Sequence, residues 1–341
     1  MEQRLNWIDV AKGVGMILVI IGHVPTTLEV KSFVFSFHMP LFFFLSGLVF
    51  KQLHLPIRTF FQKKVERLLF PYICFSIITY LFWFFVERYF PFSHSKHVDP
   101  FVPFTGIFIS NEDHFQLTFN PAIWFLTVLF LVEVVFFLFM KLAKGRFVLL
   151  FTIGSALLGY MSTLKLEESL PWNAGVACTA LVFYALGYLC QSHLHELKSD
   201  PTMILCSLFF LSVGFLQAAN SERIDMRANQ YGEIDIFYLT SILGIAGTIY
   251  LSFKLKHSNM LRFLGKHSLT ILVLHFTGIH LSKAFVYFVL GIDIEETYNL
   301  SWTIFYSAFT IVFMIPCILF FNKYPVLLGR KKRTTYQETV G

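Results

Sequence analysis

His23 lies in the apolar run from Gly13 to Val24, where an ionisable side chain is expensive to bury without a purpose. Lys12 stands eleven residues earlier, at the mouth of the same run. On a helix that separation is roughly three turns, so the two side chains share one stripe about 16 Å apart. An imidazole there can take a proton from a hydroxyl near neutral pH. It can equally serve as a packing histidine bonded to a neighbouring helix. Asp9 is spaced i, i+3 from Lys12, a distance that also suits a plain ion pair at the membrane edge.

Other polar residues stand in apolar surroundings. His38 precedes Pro40 by two residues, where a kink would free backbone groups to shape a cavity. Ser46 and Gly47 allow close helix approach. The basic segment 51–67 ends in Lys64-Val65-Glu66-Arg67, able to hold phosphates through charge-assisted hydrogen bonds or simply to enforce topology. Glu133 lies nine residues after Trp124 and should be neutral or paired, either orienting a histidine or closing a structural bond. Trp124 reads as an interfacial anchor or a ligand contact. His275 and His280 are further intramembrane imidazoles. Arg223, Asp225, Arg227 and Asn229 form a polar cluster that reads as a sugar-binding loop or a solvated one. His94, His97 and His114 are irregularly spaced, and the five cysteines form no CxxC pair, so neither a metal site nor a disulfide framework is expected.

The elements that must position these residues are membrane helices. Of 341 residues, 56% are hydrophobic and 14% charged, against about 25% charged in a soluble domain. Apolar stretches predict an all-α polytopic membrane protein with ten spans, at 10–29, 33–50, 69–89, 122–140, 147–163, 175–191, 202–219, 236–253, 268–290 and 301–321. The stretch 90–121 is expected as a long external loop. Arg4 with the following apolar run has the look of a signal peptide, but no cleavage site follows and the first helix is expected to be retained. Most of the 27 lysines and arginines fall in the N-terminal segment, in alternate loops and in the basic tail 322–341. That asymmetry predicts both termini in the cytoplasm of a cell-membrane protein. The +6 net charge then points to lipid headgroups as partners, not nucleic acid.

Together these segments resemble the acyltransferase 3 family of membrane O-acyltransferases. Lys12 to His23 is similar to that family's basic residue, ten intervening residues, then histidine. Ser46-Gly47-Leu48-Val49-Phe50 is similar to its Ser-Gly-x-x-Phe element, and Lys64 to Arg67 to its Arg-x-x-Arg element with lysine first. Trp124-Phe125-Leu126 and the stretch from Leu264-Gly265-Lys266 to His275 are similar to further segments. The resemblance covers nearly the whole chain and implies a single transmembrane acyltransferase domain. It implies transfer of an acyl group, acetyl foremost, from acyl-CoA to a hydroxyl of a surface or lipid-linked glycan. On that reading His23 is the base or acyl carrier, with Asp9 and Lys12 at the donor end of its stripe. Lys64, Arg67 and Ser46 would bind CoA, and His38, Trp124, Glu133, Arg227 and Asn229 would face the substrate. The competing class is an exporter of a lipid-linked sugar or small organic acid, whose proton relay would use the same residues.

Overall fold

The computed structural model describes residues 6–111, 115–165, 170–196, 202–219 and 224–330. Arg4, His114, Lys198, Arg223 and most of the basic tail lie outside the described residues. Among the described residues the regular elements are helices, with one isolated bridge between Asp225 and Gln230. Eight helices are long and apolar enough to cross a membrane. Two shorter apolar helices, Val148–Leu164 and Thr202–Ala218, account for the remaining expected spans. The chain is a multi-pass membrane protein by helix length and hydropathy.

The first two helices form the centre. Helix α1, Asn6–His23, packs antiparallel to α2, Leu28–Leu48. The expected first span, 10–29, is therefore interrupted: His23 ends α1, and residues 24–27, including Pro25, turn the chain back. Helices α3 (Ile57–Lys64) and α4 (Phe70–Phe85) continue one another through a π-helical turn, Val65–Leu69. Pro71 explains that turn: it has no N–H for the Arg67 carbonyl and its ring crowds that carbonyl, and the extra residue relieves both. The basic segment expected as a loop is thus largely helix.

After α5 (Phe101–Ile109) the chain folds back into the bundle, burying Leu117, Phe119, Asn120 and Ile123. The expected external loop 90–121 is to that extent part of the core. Asn120 Nδ2 donates to the Val273 carbonyl at 2.8 Å and fastens this segment to the ninth expected span. The remaining helices are α6 (Trp124–Leu142), α7 (Val148–Lys165), α8 (Ala174–Leu189), α9 (Gln191–Glu196), α10 (Thr202–Ala219), α11 (Ile234–Lys254), α12 (Asn259–Lys266), α13 (Ser268–Val289) and α14 (Leu300–Lys323).

Helix α2 does not break at Pro40; it runs unbroken to Leu48. The proline leaves the Ser36 carbonyl without its helical donor. Ser241 of α11 supplies one, its hydroxyl donating to Ser36 O at 2.6 Å. The expected kink is absent because a neighbouring helix satisfies the freed carbonyl. Helices α2 and α8 meet at backbone distance, since a Cβ on Gly47 would overlap the Tyr184 carbonyl and one on Gly187 the Phe44 carbonyl.

Candidate active site

Three imidazoles converge from three helices. The His23 ring lies 6.2 Å from that of His38 and 5.4 Å from that of His275, edge to face in both cases. Each turns its Nδ1 to a carbonyl of its own helix: His23 to Val19 at 2.7 Å, His38 to Val34 at 2.6 Å, His275 to Leu272 at 2.9 Å. A carbonyl only accepts, so each Nδ1 carries the hydrogen, and Nε2 holds the lone pair in the neutral ring. His38 and His275 are buried, whereas His23 keeps part of its surface open.

His23 and His38 line a small cavity of about 20 Å³, room for about one water molecule. Trp124, from the start of α6, forms part of its wall, with Ala122 just before it. Asp225, Met226 and Arg227 close another side. Asp225 is buried and its carboxylate lies 3.4 Å from the Arg227 guanidinium. The Asp225–Gln230 bridge and a short 3₁₀ turn at Met226–Ala228 hold this segment in place. The nearby Tyr231 phenol is buried, which pushes its pKa above the ordinary value and keeps it protonated.

A second cavity, of about 160 Å³, lies further towards the N-terminal end of α1, lined by Lys12, Met16, Phe42, Ser46, Arg67 and Leu272 among others. A third, of about 550 Å³, shares Arg67 and Leu269 with it and adds Lys63, Glu66 and Arg330. The first two cavities lie along one face of α1. Lys12 and Met16 border one, Val19 and His23 the other, and this 12, 16, 19, 23 series is a single helical stripe.

The expected site residues fall into two groups. His23, His38, Trp124 and Arg227 meet around one cavity, and Lys12, Ser46 and Arg67 around the next. The others are placed elsewhere. Glu133 is not beside a histidine: it pairs with Lys64 at 2.8 Å, both largely buried, so Lys64 points at α6. Asn229 donates to Ser162 Oγ at 3.2 Å and ties its loop to α7. Asp9 is buried near the start of α1, about 21 Å along the helix from His23. Lys63, Arg330 and Ala122 were not foreseen. Lys63 sits in the basic segment already noted, but only the helical phase of α3 distinguishes its direction from that of Lys64.

The bundle of a multi-pass membrane protein thus turns its imidazoles inward, between a basic end and the polar Asp225–Arg227 segment. The acyltransferase domain matches residues 5–321, and the chain belongs to the acyltransferase 3 family. It is a membrane acyltransferase and uses an acyl donor. No curated protein and no solved structure matches it significantly.

Proposed function

We propose that this enzyme moves an acetyl group from acetyl-CoA, bound at the cytoplasmic end, to a hydroxyl of a surface or lipid-linked glycan arriving from the other side of the cell membrane. The observation that carries this reading is the α1 stripe, with the basic cavity at Lys12 and the imidazole cavity at His23. Lys63, Arg67 and Arg330 offer charged donors to the phosphates of CoA. Lys64 supports Arg67 from behind by anchoring the π turn to Glu133. Met16, Phe42 and Leu272 give the cavity at Lys12 an apolar wall suited to the thioester arm.

In the transfer step, His23 Nε2 takes the proton of the acceptor hydroxyl as its oxygen attacks the thioester carbonyl carbon. The new C–O bond forms, the C–S bond breaks, and the departing CoA sulfur receives the proton from His23. The Val19 carbonyl holds Nδ1–H and so keeps Nε2 as the basic nitrogen throughout. Asp225 and Arg227 present an acceptor and a donor at the cavity wall to sugar hydroxyls. Mass spectrometry of surface glycans from cells with and without the protein tests the reading. An acetyl increment lost with the protein supports it; an unchanged glycan profile together with no acetyl-CoA consumption by the purified protein refutes it.

A further inference from the structure

The third cavity, of about 550 Å³, is lined in part by the chain that follows α14. There the 3₁₀ turn Pro325–Leu328 buries Leu328 in the core and ends at Gly329, whose φ of +64° is left-handed. The Arg330 amide donates to the Pro325 carbonyl at 2.9 Å and the Gly329 amide to the Val326 carbonyl at 2.8 Å, the paired bonds of a Schellman cap. Gly329 also lies against the π turn: a Cβ there would overlap the Glu66 carbonyl, so only glycine fits. Arg330 therefore leaves a fixed turn at the edge of the cavity that Lys63, Glu66 and Arg67 also line. Its guanidinium reaches the Lys266 carbonyl at 3.5 Å. This turn lies outside the span 5–321 that matches the family.

Arg67 and Leu269 border both this cavity and the one at Lys12, which measures about 160 Å³. Coenzyme A has a slender pantetheine arm, then a diphosphate, then an adenosine that bears a 3′-phosphate. The smaller cavity, walled by Met16, Phe42 and Leu272, suits the arm, and only the larger has room for the nucleotide. Arg67, at the border, then falls to the diphosphate between them. Lys63 and Arg330 line the larger cavity and not the smaller, so they fall to the nucleotide end.

We infer that Arg330, with Lys63, binds the 3′-phosphate of coenzyme A, so that the turn after α14 makes the enzyme selective for the 3′-phosphorylated coenzyme. The inference rests on the acyl-CoA reading of the donor and assigns one of its phosphates to this cavity. A guanidinium holds two phosphate oxygens at once, and the Lys63 ammonium adds a point charge. Glu66, the carboxylate on the same cavity, offers an acceptor to the ribose 2′-hydroxyl.

Calorimetric titration of the purified full-length protein with coenzyme A and with dephospho-coenzyme A, which lacks only the 3′-phosphate, tests this. The parent should bind coenzyme A roughly tenfold or more tighter than the dephospho form. Arg330→Gln should bring coenzyme A down to the level of dephospho-coenzyme A and leave the latter bound as in the parent. Arg330→Lys, which keeps the charge but not the fork, should retain part of the preference. Arg67→Ala should weaken both ligands alike, because both carry the diphosphate. Arg330 is exposed, so its replacement should leave the fold intact; should it not, Lys63→Met should narrow the same preference. The assignment is overturned if the parent binds the two ligands equally, if Arg330→Gln keeps the preference, or if it weakens both to the same extent. In each of those cases the acyl-CoA reading stands. If neither ligand binds the parent, that reading falls and the assignment falls with it.

Discussion

His23 and His275 meet edge to face at 5.4 Å, although one ends the first helix and the other lies eight residues into the thirteenth. His275 Nε2 is fully buried and has no hydrogen-bond partner, while its Nδ1 is held by its own helix. An acceptor-only nitrogen left this way beside a catalytic imidazole is suited to receive a hydrogen bond from a protonated His23 or from the substrate hydroxyl. His275→Leu should lower the acetyl-transfer rate by roughly tenfold or more and leave the KM for acetyl-CoA near its parent value. Steady-state kinetics on purified protein checks this; an unchanged kcat would reduce His275 to packing.

Arg67 borders both basic cavities and Lys64, three residues away, borders neither. Arg67→Ala should raise the KM for acetyl-CoA by about tenfold or more, the scale of one charge-assisted hydrogen bond. Kinetics over a range of acetyl-CoA concentrations read this directly. A rise in KM for Lys64→Met but not for Arg67→Ala would invert the assignment.

Lys64 and Glu133 answer a different experiment. Their 2.8 Å pair is largely buried, so removing one partner strands the other's charge. Lys64→Met alone should cost about 3–5 kcal/mol, and Lys64→Met with Glu133→Leu should recover most of it. Thermal unfolding of the variants in one detergent compares them. Equal destabilisation of the single and double variants would contradict the pairing.

Ser241 replaces the donor that Pro40 lacks. Ser241→Ala should destabilise by about 1–3 kcal/mol, because the Ser36 carbonyl is left unsatisfied in an apolar setting. In a Pro40→Ala background, where the backbone N–H returns, the same change should cost much less. Urea or thermal unfolding of the four proteins closes this cycle, and an equal cost in both backgrounds would refute it.

The sequence was informative wherever helical phase alone decides the outcome. Lys12, Met16, Val19 and His23 fall on one stripe at helical spacing, and the structure puts both cavities on it. The apolar lengths likewise marked the helices. Convergence between helices was not legible, since nothing in the local pattern of α1, α2 or α13 says that His23, His38 and His275 share a cluster. The Lys64–Glu133 pair was hidden for the same reason: each residue looked functional in its own segment, and only tertiary packing shows that they satisfy one another. Pro40 misled because its effect depends on a serine some two hundred residues away. The 90–121 stretch was read by its prolines and polar residues, whereas Asn120 and Phe119 place its end inside the bundle.

The most direct test of the account is acetyl transfer by His23→Ala, measured beside its affinity for coenzyme A. His23 stands in the imidazole cavity and not in the basic one, so the variant should bind coenzyme A as the parent does. It should transfer labelled acetyl about 10²- to 10⁴-fold more slowly, the usual loss on removing a general base. Transfer at the parent rate by the folded variant would contradict the account.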